Sequence, residues 1–320
     1  MMFHYTFRGY AADGLSQLSF PSMREIFKYG YLGIYFFIIL SGYTILITIR
    51  GKSFKKFISK KFIRLYPPLF CAIIITTFFS FFSDADRYDI SMIQFIANLS
   101  LVNGLFGIPY IDGVYWFIHV LIQFYIGFAI LHYFGLVKYL KIILSSWLLL
   151  SLALHFKNIP VIDDVIMYRY ASFFVAGIII GISRDEGWDK INFSIFLFSV
   201  AVSLISIKYY IPVFEKYYST KLSYLINYLI IIFIHGTIFL IGTIKNNTNH
   251  NYFIITLLSA STYPLYLLHQ NIGFILFHLF DFLDNKYLIL IFTINIVLII
   301  SIFITKQLDP YLGKKIMKIF

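Results

Sequence analysis

The sequence is poor in the residues that staple or solvate a water-soluble fold. Cysteine occurs once, at Cys71, which excludes an intrachain disulfide, a redox pair and a cysteine-based zinc site. Charged residues make up only 13% of the chain, about half of the ~25% usual in soluble domains. So little charge cannot cover a surface that faces water, and a soluble protein is excluded. Ten-residue segments of alternating hydropathy, the mark of an outer-membrane barrel, are also lacking. What the chain does have is 60% hydrophobic residues, a mean hydropathy of +0.81 and long apolar runs. These predict an all-α, polytopic transmembrane helical bundle forming a single integral-membrane domain over residues 1–320.

Crossing ~30 Å of hydrocarbon takes roughly 20 apolar residues. Runs of that kind lie near 30–49, 66–83, 113–133, 141–156, 167–183, 192–209, 222–242, 258–280 and 287–305, which makes nine spans. Polar punctuation such as Ser183-Arg184-Asp185-Glu186-Gly187 separates them. A weaker stretch at 92–108 contains Asn98, Asn103, Gly104 and Gly107 and is read as a partly buried or re-entrant segment.

A net charge of +11 would suggest nucleic acid in a soluble chain. Its placement gives another explanation. The cluster from Arg50 through Lys52, Lys55, Lys56, Lys60 and Lys61 to Arg64 is assigned to the cytoplasm by the positive-inside rule. Alternating sides from there leaves sixteen of the 26 Lys and Arg inside and eleven of the 15 acids outside. Membrane orientation therefore accounts for the charge without a nucleic-acid partner, and membrane lipids are the expected surroundings. The same alternation puts the carboxyl terminus in the cytoplasm and residues 5–29 outside, preceded only by Met1-Met2-Phe3-His4. A segment starting outside needs a signal peptide or an earlier span, so the expectation is that a further span precedes this chain and that its stub is the tenth.

Four segments carry a resemblance. Phe3-His4-Tyr5 leads into a polar stretch; Gly33-Ile34-Tyr35-Phe36-Phe37 runs on to Ser41-Gly42-Tyr43; Lys61-Phe62-Ile63-Arg64-Leu65-Tyr66-Pro67 opens the next span; Tyr115-Trp116 is followed by His119, Gln123 and Phe124-Tyr125. Together they resemble the integral-membrane acyltransferase-3 family, which transfers acyl groups to cell-surface polysaccharides and related acceptors. In that family an Arg and a His separated by ten residues end the first span. His4 matches the His, and counting back eleven positions passes the first residue. The family's R-x-x-R-I-Y-P is matched with Lys61 in place of the first Arg. Its W-S-L-x-x-E-x-x-F-Y is matched at Trp116, Phe124 and Tyr125, with Leu121 where the Glu stands. Its commonly acidic position after G-V is Tyr35. Phe173-Phe174-Val175-Ala176-Gly177, after Tyr168-Arg169-Tyr170, is similar to its Y-F-x-x-G, and Ser261-Thr262-Tyr263 through His269 to its S-Y-x-L-Y-L-x-H.

The resemblance implies a bacterial inner-membrane O-acyltransferase that moves an acyl group, acetyl foremost, from cytosolic acyl-CoA to a hydroxyl of an extracytoplasmic or lipid-linked saccharide. It implies no permanently bound cofactor and no metal; acetyl-CoA is a substrate. His4 takes the role of general base, for which an unperturbed pKa near ~6.5 is suited. Lys61, Arg64 and Tyr66 would hold the CoA nucleotide, Arg by chelating phosphate. Trp116, His119, Gln123, Tyr125, Arg169 and His269 are candidates for the acceptor. Each also has a structural reading: positive-inside anchor for the basic cluster, interfacial packing for Trp116 and Tyr125, a helix-to-helix bond for His119 or His269, headgroup contact for Arg169. His4 itself is expected to fray unless it packs. Two alternatives stand beside the enzyme. A transporter or flippase of a glycan precursor suits the span count, but neither inverted repeats nor paired Gly/Pro-broken helices are evident. A non-catalytic relative suits Tyr35, Leu121 and the position of the family's first Arg beyond this chain.

Overall fold

The computed structural model describes residues 1–11, 14–83, 86–101, 103–157, 165–244 and 253–317, and every regular element among them is helical. The described chain groups into two compact units, Met1–Lys28 with Ile58–Val120 and Asn249–Phe320, and Tyr29–Phe57 with Leu121–Thr248. Among the described residues seven helical stretches are long and apolar enough to cross a membrane: Pro21–Ile49, Phe54–Ser80, Gly113–Tyr133, Leu136–Lys157, Lys190–Tyr218, Tyr224–Thr243 and Lys286–Lys315. Their outward residues, such as Phe78, Phe233 and Ile299, are apolar and exposed, as a hydrocarbon solvent requires.

The other two expected runs differ from the prediction for identifiable reasons. The run at 167–183 is the helix Tyr168–Glu186, whose ends carry Arg169, Arg184, Asp185 and Glu186. Its middle is buried almost all round, so neighbouring helices rather than lipid surround it. The run at 258–280 is two helices, Phe253–Leu268 and Asn271–Leu279, broken at His269-Gln270. Three consecutive polar residues, His269-Gln270-Asn271, interrupt the apolar pattern there, and the side chains of Gln270 and Asn271 find partners in Arg8 and Ile111, outside these helices. A third correction concerns Pro67-Pro68, expected to mark a helix start. The helix begins twelve residues before the expected 66, at Phe54, and runs through both prolines to Ser80, so the basic cluster from Lys55 to Arg64 is itself helical. Tyr263 donates to Leu65 O (3.0 Å) in the same turn.

In the second unit, α1 (Gly33–Ile49) packs most extensively on α2 (Tyr168–Glu186). The contact is backbone to backbone. A Cβ at Gly42 would enter Phe174 O, one at Gly177 would enter Ile39 O and lie 2.7 Å from Tyr43 N, and one at Gly181 would lie 2.9 Å from Tyr43 O. Gly177 and Gly181 form the small-xxx-small spacing that lets membrane helices approach closely. Tyr35, at the family's acidic position, is buried and stacked on Phe173 at 4.2 Å between ring centroids. At one end Arg50 pairs with Asp185 and with Glu186 (3.4 Å), and Lys141 with Glu186 (3.7 Å) and Asp189 (3.3 Å). Alternating sides from the Arg50 cluster along the chain puts all five residues on the same side.

In the first unit, α3 (Phe54–Ser80) contributes from Ile58 onward, with α4 (Met92–Ser100), the first residues of α5 (Trp116–Tyr133), and α6 (Phe253–Leu268), α7 (Asn271–Leu279) and α8 (Lys286–Phe303). Tyr5, Phe20, Tyr88, Phe274, Phe277 and Ile289 form a buried core. Ser91 caps α4 by accepting from Gln94 N. At nine residues α4 is too short to span, as expected of the 92–108 stretch, and its exposed Met92, Ile93 and Ile96 make one apolar face.

Candidate functional site

His4 is not frayed. It opens a π-helical turn, His4–Arg8, that continues into Gly9–Ala11. Two reciprocal close contacts seat this turn on α7: the Tyr5 ring fills the space over Gly273, and the Phe274 ring the space over Gly9. Tyr5, fully buried, donates its hydroxyl to His269 O. These contacts bring the imidazoles of His4 and His269 edge to face, 4.8 Å apart between ring centroids at 74°.

The two histidines differ in what they offer. His269 is buried, and its Nδ1 lies 2.7 Å from Tyr266 O. A carbonyl can only accept, so Nδ1 carries the hydrogen and the neutral ring presents a lone pair at Nε2. His4 is half-buried, and its Nδ1 is enclosed with no hydrogen-bond partner among the described residues. An enclosed polar atom left unpaired costs about 1–3 kcal/mol, which points to a partner supplied by a ligand.

The break between α6 and α7 holds this pair in place. Asn271 N donates to Asp112 Oδ2 (2.8 Å), Asn271 Nδ2 to Ile111 O (2.8 Å), and Val114 N to Asp112 Oδ1 (3.1 Å). One carboxylate thus caps two helical starts. Tyr266 donates to Val114 O (2.7 Å), and Arg8 Nη1 to Gln270 Oε1 (2.8 Å). Asp112 is completely buried, and that burial pushes its carboxyl up to about 6, against the opposing effect of the two backbone N–H bonds and of Arg8. Asp112, Gln270, Tyr5 and Arg8 were not singled out by the motif reading. The available signals were the acid directly before the helix start at Gly113 and the polar triplet inside an apolar run. Replacing Asp112 by alanine strands two buried N–H groups. We expect a loss of about 2 kcal/mol, read as a lowered melting temperature in detergent, together with reduced turnover as His269 loses its anchorage.

The other candidates fall in distinct places. Lys61 is buried and Arg64 is exposed on α3. Tyr66 stacks on Phe62 and donates to Leu99 O (3.1 Å), so its hydroxyl is committed to the backbone. The bond from Tyr263 to Leu65 ties this turn of α3 to α6 six residues before His269, about 9 Å along a helix axis. His119 lies apart, bonded through Nε2 to Leu101 O (3.2 Å). Trp116 starts α5 beside Phe117. Gln123, Tyr125 and Arg169 belong to the second unit. There Tyr125 packs beside Phe124, which stacks on Phe174, and exposed Arg169 lies over the Tyr168 ring at 5.7 Å. Among the described residues no group of three or more His, Cys, Asp or Glu is arranged to hold a metal.

With the histidine pair and its neighbouring basic turn in one unit, comparison with known proteins decides the class. A family model described as an acyltransferase domain, that of the acyltransferase-3 family, matches residues 1–306. The chain belongs to this family. No curated protein and no solved structure matches it. As a member of the family with seven long apolar helices, it is a membrane acyltransferase by domain, which weighs against the transporter reading.

Proposed function

We propose that the protein transfers an acyl group, acetyl foremost, from cytosolic acyl-CoA to a saccharide hydroxyl at the bacterial inner membrane, with His4 as general base. The observation that carries this reading is the apposition of His4 to His269 inside a family-matched membrane domain, with His4 Nδ1 lacking a partner. The acceptor hydroxyl gives its proton to His4 as its oxygen attacks the thioester carbonyl; the tetrahedral intermediate collapses, and CoA leaves as the thiolate and takes up that proton. His269 is a positioning residue, its ring orientation set by Tyr266 and Tyr5. Lys61 and Arg64 supply positive charge for the CoA phosphates, on the turn of α3 that Tyr263 ties to α6. The acceptor is an extracytoplasmic or lipid-linked glycan, and the carboxyl terminus is cytoplasmic.

The test is a reconstituted one. Purified protein in proteoliposomes, given labelled acetyl-CoA and a bacterial envelope lipid extract, should release CoA and label a glycan fraction. Label retained wholly on CoA with every extract, by protein that melts cooperatively, sinks the reading.

A further inference from the structure

The chain between Asp89 and Asp112 contains no charged residue, and its carbonyls are taken up in a way that water would make unnecessary. After α4 it turns at Asn103–Phe106 and returns to Ile111, beside the helix it left. Side chains cap the carbonyls along that course. Tyr66 donates to Leu99 O (3.1 Å) and His119 Nε2 to Leu101 O (3.2 Å). Asn103 donates to Ile108 O (3.3 Å), Asn98 to Pro109 O (3.0 Å) and Gln94 to Tyr110 O (3.4 Å). Asn98 also accepts from Ile111 N (3.1 Å), and Ile108 N donates to Asn103 O (2.9 Å). Both asparagines are buried. A loop in water can leave such carbonyls to the solvent, whereas in hydrocarbon the protein itself must supply every partner.

Depth points the same way. Tyr66 lies about 21 Å of helix axis before the end of α3 at Ser80, at ~1.5 Å per residue. Its bond to Leu99 therefore draws the last turn of α4 well back along a helix long and apolar enough to cross a membrane. The remaining face is apolar: Met92, Ile93 and Ile96 on α4 and Phe106 at the turn are exposed, as are Phe78, Phe81 and Phe82 where α3 ends. An uncharged face continuous in character with that end of α3 suits hydrocarbon rather than water or a charged partner. We infer that α4 and its return through 103–111 form a re-entrant hairpin, entering the bilayer and leaving on the same side, with Met92, Ile93, Ile96 and Phe106 against phospholipid acyl chains. Ile111 and Asp112, at the end of the return, hold Asn271, so the hairpin carries the anchor of the helix break at His269. The inference does not depend on the acyl-transfer reading.

Bimane fluorescence of single cysteines in phosphatidylcholine liposomes tests this. Cys71, buried and the only cysteine, is first replaced by alanine. Ile93→Cys, Ile96→Cys and Phe106→Cys are then compared with Asp89→Cys, exposed beside the hairpin, and with Phe233→Cys, exposed on an apolar helix of the second unit. The three hairpin sites are exposed, so the substitutions remove no core contact. We expect nitroxide-labelled phosphatidylcholine to remove most of the fluorescence at the three hairpin sites, as at Phe233→Cys, and aqueous iodide to quench only Asp89→Cys. Iodide quenching at the hairpin sites as strong as at Asp89→Cys overturns the inference, because the segment then lies in water. Quenching by neither reagent in liposomes, replaced by lipid quenching in nanodiscs holding one copy, also overturns it and assigns the face to a second copy of the chain. Quenching by neither reagent in both preparations overturns it as well, since protein then covers the face.

Discussion

His4→Ala should lower acyl transfer by about 10²–10⁴-fold, the range that a positioned general base supplies. The substitution should leave the fold nearly untouched. His4 is half-buried and its Nδ1 bonds nothing among the described residues, so removing the ring strands no donor or acceptor at that atom, and the turn remains seated through Tyr5 on Gly273 and Phe274 on Gly9. The measurement is CoA release by proteoliposomes beside a melting curve. Tyr5→Phe separates catalysis from positioning: it removes the bond to His269 O without removing a ring from the core, and should reduce kcat less than His4→Ala while leaving the KM for acetyl-CoA unchanged. A His4→Ala protein with wild-type turnover would transfer the base to another residue, His269 first.

The largest structural effect is expected at Gly177. Its Cβ would enter Ile39 O and lie 2.8 Å from Ile39 C and 2.7 Å from Tyr43 N. These are backbone atoms of α1, which cannot rotate away as a side chain can, so α1 and α2 would have to separate along their whole contact. Gly177→Val should cost about 3 kcal/mol, the upper part of the overpacking range, and lower the melting temperature in detergent with little folded protein recovered. Gly181→Ala is tight only against Tyr43 O, at 2.9 Å, with Leu46 Cδ1 in ordinary contact at 3.7 Å, and should cost less. Gly236→Ala, on α9 (Tyr224–Thr243), has nothing within 4 Å of the added carbon and should be neutral or slightly stabilising, since Ala exceeds Gly in helix propensity. Equal stability for the three variants would show that the α1/α2 contact is not the close backbone seam described.

The degenerate-relative reading rested in part on Tyr35 and Leu121 standing at acidic positions of the family pattern. In the fold both are buried, Tyr35 stacked on Phe173. Packing accounts for them locally. Tyr35 and Leu121 belong to the second unit, whereas the unpaired His4 Nδ1 and the buried Asp112 lie in the first.

The helices and their grouping were legible in the sequence because hydrocarbon is a uniform solvent. An apolar run of sufficient length is helical wherever it lies, since its backbone must bond within itself, and loop charge sorts by side irrespective of packing. Arg50, Lys141 and Asp185 meet at one end of their unit as that sorting requires. Motif residues such as His4, Arg64 and His269 were also visible one at a time. Only tertiary structure decided which of them lie together. The bond from Tyr5 to His269 O joins residues 264 positions apart, and no local pattern encodes such a separation. The same holds for the helix break at His269-Gln270: hydropathy counts it as membrane interior, and it exists because Asp112, from a different part of the chain, accepts the backbone N–H that the break exposes.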